Sequence, residues 1–265
     1  SERSRLAEAQ ERLRGYRAAL AETLPGEPEL VLQGDFSDAT CFTSLEGASF
    51  ALNPPGQVAL ALQNGWTGQA AATRPAAAAL VDGVVHLIGG VRSDGTDKHP
   101  FVIPSGLRPA ATIFVPVDLC NVTDGRLRIG ASGTVTVQSS QAFSLATCFT
   151  SLDGVSWVLN PTAQTALTLE NGWVGRPYHT RLPRAGLVDG VVRFSGAIAD
   201  GTSDVVFTLP PTLRPSRLVY IQVDLCGAAN GRLTIETDGV TTVESEDVLG
   251  DAQCFTSLED AAFVR

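Results

Sequence analysis

Cys41-Phe42-Thr43-Ser44-Leu45 returns as Cys148-Phe149-Thr150-Ser151-Leu152 and again as Cys254-Phe255-Thr256-Ser257-Leu258. The spacings are 148 − 41 = 107 and 254 − 148 = 106 residues. Each copy runs on to an aromatic at one offset: Phe50, Trp157 and Phe263. A period of about 100 residues is too long for a solenoid and fits whole small folding units. The phrase therefore divides the chain into two successive stretches of one fold, closed by a third copy. Drawn to these limits, the first repeat is 53–159 and the second 160–265. Residues 25–52 are then a linker with partial closing strands, and 1–24 stand apart in front.

Landmarks between the copies repeat in order. Asn64-Gly65-Trp66 matches Asn171-Gly172-Trp173, and Leu80–Val85 matches Leu187–Val192. Gly89 matches Gly196, Leu107-Arg108-Pro109 matches Leu213-Arg214-Pro215, and Val117–Cys120 matches Val223–Cys226. The runs between them are β in character. Val58–Leu62 and Thr165–Leu169 alternate with period two, and Ile113–Leu119 and Leu218–Leu225 are rich in β-branched residues. Asp82-Gly83, Asp124-Gly125 and Asn230-Gly231 are dipeptides able to supply the positive φ of a tight hairpin. Ala70–Ala79 and its counterpart Arg176–Ala185 are broken by prolines and read as loop or edge strand. Short strands with Gly and Pro turns predict an all-β chain of two tandem β-sandwich, or barrel-like, repeat domains.

Residues 3–23 read as a helix. Leu6, Leu13 and Leu20 are seven apart, with Ala9, Tyr16 and Thr23 at the alternate seam positions. This predicts a short coiled-coil stalk, with an amphipathic helix docked on its own domain as the other reading. Pro25-Gly26-Glu27-Pro28 ends it.

The net charge of −9 removes nucleic acid as a partner, because phosphate binding needs a basic surface. No apolar run is long enough to insert in a membrane, and no secretory signal is visible. The chain has no Met and begins at Ser1, which points to a processed product or a fragment.

The order Asn-Gly-Trp, Asp-Gly-Val-Val, Phe-x-x-Pro, Arg-Pro, Gly-Arg-Leu, then Ser-Leu-Glu/Asp-Gly-x-Ser-Phe/Trp, present twice, resembles the tandem C-terminal β domains of bacteriophage tail-fibre and tail-tip proteins. Ser257-Leu258-Glu259-Asp260 departs from it, with Asp where the other copies carry Gly. The resemblance implies an elongated homotrimer on a virion tail or an extracellular tail-like particle. It would sit beside other tail or baseplate proteins and contact a bacterial cell-surface polysaccharide. It implies neither enzymatic activity nor a cofactor. The alternative is a secreted carbohydrate-binding protein outside any particle.

The titratable residues form no catalytic set common to both repeats, while spacing alone leaves a glycosidase-type carboxylate pair open. The three histidines, His86, His99 and His179, do not recur between repeats, so a His-based triad or metal site in each repeat is excluded. Asp82/Asp189 and Asp118/Asp224 recur, the first pair in a turn dipeptide where Asp serves the backbone. Recognition is expected where the repeats differ, since loops carry function. Thr67–Ala79 and Val174–Gly186 differ most. The second holds Tyr178, His179 and Arg181, a set suited to stacking on and hydrogen bonding to a sugar; Trp173, kept like Trp66 in an identical setting, either joins them or plugs a core or subunit seam. Cys120 to Cys148 and Cys226 to Cys254 both span 28 residues. They suggest one bridge per repeat with Cys41 left over. Cys41–Cys120 with Cys148–Cys226, or buried thiols throughout, are the other readings.

Overall fold

In the computed structural model the described residues are 43–265, except 189 and 247. The heptad leucines Leu6, Leu13 and Leu20, with Cys41, lie outside them. Glu46–Arg265 packs as one compact unit.

The first repeat contributes β1 (Val58–Ala59), β2 (Trp66–Gly68), β3 (Ala77–Val81), β4 (Val84–Ile88), β5 (Gly90–Ser93), β6 (Ile113–Asp118), β7 (Asp124–Ile129) and β8 (Val135–Ser139). Helix α1 (Phe143–Cys148), β9 (Thr150–Ser151) and β10 (Ser156–Val158) follow. The second contributes β11 (Thr165–Ala166), β12 (Val174–Gly175), β13 (Arg184–Val188), β14 (Val191–Ser195), β15 (Ala197–Ala199), β16 (Val205–Thr208), β17 (Val219–Asp224), β18 (Asn230–Ile235) and β19 (Val240–Ser245). It closes with α2 (Leu249–Cys254), β20 (Thr256–Ser257) and β21 (Ala262–Val264).

The chain is mostly β, and its named strands pair antiparallel. Sheet order β1-β3-β4-β10 is repeated as β11-β13-β14-β21, and β2-β5-β9 as β12-β15-β20. The third sheet, β6-β7-β8, returns as β17-β18-β19 with β16 added at its edge. In the first repeat that edge is reduced to a bridge between Val102 and Thr134. The phrase residues lie at the centre of this plan. The Thr-Ser pairs form β9 and β20, and the aromatics that follow them, Trp157 and Phe263, sit in β10 and β21 against β4 and β14.

Each repeat closes on its own core. Trp66, Trp157, Phe101, Val115 and Leu127 fill the first, and Trp173, Phe194, Phe207, Phe263 and Leu233 the second. Burial of such aliphatic and aromatic side chains supplies roughly 1.5–3 kcal/mol each. Gly89 and Gly196 are required sterically. Their φ values are 92° and 91°, and a Cβ would stand 2.3 Å from Arg74 O or 2.4 Å from Leu182 O.

Two turn readings need correction. Asp124-Gly125 and Asn230-Gly231 open β7 and β18 in regular register with Asp118-Val117 and Asp224-Val223, and are not hairpin turns. The chain reverses earlier, at the 3-10 turns Cys120–Val122 and Cys226–Ala228. The glycines serve close approach: a Cβ on Gly125 would lie 2.6 Å from the Leu119 side chain, and one on Gly231 2.5 Å from Leu225. Asp82-Gly83, by contrast, does form the tight turn between β3 and β4, with φ of 48° and 84°.

Both expected bridges are present. Cys120 pairs with Cys148 and Cys226 with Cys254, with Cα atoms 5.8 and 5.7 Å apart. Each ties the turn after β6 or β17 to the last residue of α1 or α2. The short helix is thereby fixed beside the phrase strand that follows it.

Candidate functional site

The two segments that differ most in sequence share one backbone. In the first repeat Gln69, Ala71 and Ala72 have φ of 58°, 51° and 60°; in the second Arg176, Tyr178 and His179 have 66°, 53° and 62°. Left-handed backbone costs a non-glycine residue roughly 1–2 kcal/mol, so three such positions in four residues persist only where the surroundings impose them. A threonine closes each turn. Thr73 donates its N–H and hydroxyl to Ala70 O at 3.1 and 2.8 Å; Thr180 donates likewise to Pro177 O at 3.1 and 2.7 Å. The scaffold is common and the display is not: three alanines at one turn, Pro177, Tyr178 and His179 at the other.

Tyr178 and His179 are on the surface, Tyr178 with 60% exposure. The Tyr178 ring sits edge-on to Phe255 at 5.6 Å, and its hydroxyl is 3.9 Å from Cys254 Sγ. Phe255 in turn meets Phe114 of the first repeat at 5.0 Å, edge to face. The Arg126 guanidinium lies 4.8 Å from the Phe114 ring centre and 5.7 Å from that of Phe255. Tyr178 thus ends an aromatic row that crosses from one repeat to the other. Its ring is held from beneath while much of the side chain faces outward.

The other two residues of the expected set are inside. Trp173 is 4% exposed, and its indole N–H donates to Ser203 O at 2.9 Å; Trp66 repeats the arrangement with Asp97 O at 2.8 Å. Both indoles anchor the following hairpin to the core, so Trp173 offers no face to a ligand. Arg181 is 6% exposed. Its Nε donates to Glu259 Oε1 at 2.8 Å, its Nη2 to Glu259 Oε2, and its Nη1 to Val158 O at 2.7 Å. A guanidinium engaged in this way is a structural tie between repeats. The candidate surface is therefore Tyr178 and His179, with the exposed Arg176 beside them.

The seam beneath this surface holds charges that the sequence reading did not single out as a group. Arg126 Nη1 donates to Asp224 Oδ2 and to Leu225 O, both at 3.1 Å. Asp224 is 1% exposed, and burial pushes its carboxyl up to about 7 against the pull of Arg126. Asp260, half-buried and bonded to Ser156, is also pushed up by burial to about 7. His86 is pushed down to about 4, first by burial and then by the charge of Arg193. Perturbed groups of this kind mark active sites when a cleft reaches them. Here the Asp224 carboxyl is shut inside the seam and that of Asp260 is held by Ser156, so both act on packing. Asp118 and Asp124 are raised by burial as well, Asp124 further by Glu246. Among the described residues no cluster of His, Cys, Asp and Glu could hold a metal ion.

No protein-family model, no curated protein and no solved structure matches this chain.

Proposed function

We propose that this chain is a recognition protein, the receptor-binding part of a phage tail or tail-like particle, that meets a bacterial surface glycan through the turn Arg176–His179. Two tandem sandwich-like repeats form the body in this reading, and no step of chemistry is assigned to it. One observation carries it. The same strained turn is built twice, and only the second carries side chains that can stack and hydrogen-bond. A scaffold kept at a cost, with its exposed side chains exchanged, is what a display loop on a rigid body requires. Tyr supplies a flat amphipathic ring at low entropic cost, and here its inner edge is already packed on Phe255. The two disulfides support an oxidising, extracellular workplace.

The test is binding of the intact chain to a bacterial glycan array and to whole cells, with Tyr178→Ala/His179→Ala beside it. We expect the doubly substituted chain to lose at least tenfold in affinity while it stays folded, with a small loss of thermal stability from the Tyr178–Phe255 ring contact. Equal binding by the two chains would reject the turn as the contact. Binding to free glycans with no association to purified tail particles would favour a secreted lectin-like role instead.

A further inference from the structure

The stretches that follow the three phrase copies, 46–52, 153–159 and 259–265, touch one another in a fixed cyclic order. Position six after the cysteine is Gly47, Gly154 or Asp260, and position eight is Ser49, Ser156 or Ala262. Asp260 Oδ1 accepts from the N–H of Ser156 at 3.0 Å and from its hydroxyl. Gly154 faces Ser49: a Cβ there would lie 3.8 Å from Ser49 O. Gly47 faces Ala262: a Cβ there would lie 3.4 Å from Ala262 O and 3.4 Å from Ile221 Cγ2. The third copy rests on the second, the second on the first, and the first on the third.

A second set of contacts runs in the same sense. Arg181 pairs with Glu259 of its own repeat and donates to Val158 O of the preceding copy. Arg74 pairs with Asp153 of its own repeat and donates to Ala51 O of the preceding copy at 2.8 Å. Asp153 and Glu259 hold equivalent positions after Cys148 and Cys254, as Ala51 and Val158 do after Cys41 and Cys148.

A head-to-tail interface repeated in one sense makes a ring when the rotation closes and a filament when it does not. Here it closes after three steps, and every step lies within Glu46–Arg265. We propose that this chain builds a pseudo-three-fold ring from the three stretches that follow its phrase copies, so that the three-fold expected of three separate chains lies inside one. Residues 46–52 are then the third member of the ring, not a linker. The +6/+8 faces of the phrase are consumed within the chain and are unavailable as a subunit interface. One further consequence concerns display. The alanine turn Ala70–Ala72 and the tyrosine turn Pro177–His179 belong to successive members of the ring. One chain therefore presents one Tyr178 turn, where three separate chains about such an axis would present three.

The experiment places a photo-reactive benzoylphenylalanine at Gly47 of the full chain and irradiates it at micromolar concentration. The expected product runs on a reducing, denaturing gel at the mass of a single 27.8 kDa chain. Its peptide map joins residue 47 to the neighbourhood of Ile221 or Ala262. Products at two or three chain masses would overturn the proposal, as would single-chain products joined elsewhere. Because Gly47 has a φ of 80°, a bulky side chain there could unsettle the turn. Spin labels at the exposed Ala48 and Val264 give an independent reading. A short distance that persists on dilution with unlabelled chain supports the ring; a distance that vanishes on dilution, or a long one throughout, refutes it.

Discussion

Asp260 accepts hydrogen bonds from both the backbone N–H and the hydroxyl of Ser156, 104 residues earlier in the chain. Gly47 and Gly154 hold the same place in the other two copies. Their φ values are 80° and 94°, and that of Asp260 is 69°. Aspartate tolerates the left-handed region better than most side chains. The substitution therefore keeps the turn and adds a carboxyl to the contact between repeats.

That carboxyl makes stability depend on pH with a definite sign. Its folded value, about 7, lies above the ordinary 3.8. Between those values the native chain holds a proton that the unfolded chain has released. The stabilisation is complete below about pH 3.8 and is lost as pH rises to about 7. Asp224 contributes with the same sign over the same window. Asp260→Asn keeps an acceptor for Ser156 and cannot ionise. Urea midpoints should show it more stable than the parent at pH 8, with the difference shrinking toward pH 4. A difference that does not change with pH would contradict the assignment.

Two glycines at equivalent positions should respond unequally. A Cβ on Gly201 would lie 2.0 Å from Trp173 Cε2, whereas the nearest atom to one on Gly95 is Ser93 Oγ at 3.4 Å. Gly201→Ala should cost about 1–3 kcal/mol by overpacking and red-shift the tryptophan emission. Gly95→Ala should stay within about 0.5 kcal/mol. Paired thermal melts and fluorescence spectra read both effects.

The two arginine ties also differ. Arg181 and Glu259 are both buried, their side chains 5% and 2% exposed. Arg181→Ala leaves an enclosed carboxylate without its partner, a loss of about 3–5 kcal/mol. Arg181→Lys recovers only part, since an ammonium cannot span two oxygens in a fork. Arg74 and Asp153 are 33% and 31% exposed, and losing that ion pair should cost under about 1 kcal/mol. Chemical denaturation of Arg181→Ala, Arg181→Lys and, for the exposed pair, Asp153→Asn gives the comparison.

Removing one bridge with Cys120→Ser/Cys148→Ser opens a 28-residue separation. In the chain-entropy description this costs roughly 3.5 kcal/mol. Cys226→Ser/Cys254→Ser should cost about the same, since its separation is also 28 residues. Non-reducing peptide mapping of the parent should yield the 120–148 and 226–254 pairs. A peptide joining Cys41 to Cys120 would contradict the fold described here.

Much of this protein was legible in the residues alone. Two landmark series with one period imply one topology built twice, because sheet order follows the order of the apolar strands. Equal cysteine spacings narrowed the pairing to a few choices, and the Asp at position 260 was visible as the one departure from Gly. What lay beyond reach was burial. Trp173 and Arg181 carry side chains suited to a ligand, and nothing local distinguishes an indole on the surface from one whose N–H is spent on Ser203 O, or a free guanidinium from one spent on Glu259. Asp124-Gly125 has the composition of a turn, yet its glycine answers to the Leu119 side chain packed against it. The cyclic order of Gly47, Gly154 and Asp260 is not a property of any stretch of sequence. Periodicity determines which face of a strand is apolar; which repeat covers it, and from which side, is decided by packing between residues 100 or more apart, which the tertiary structure alone brings together.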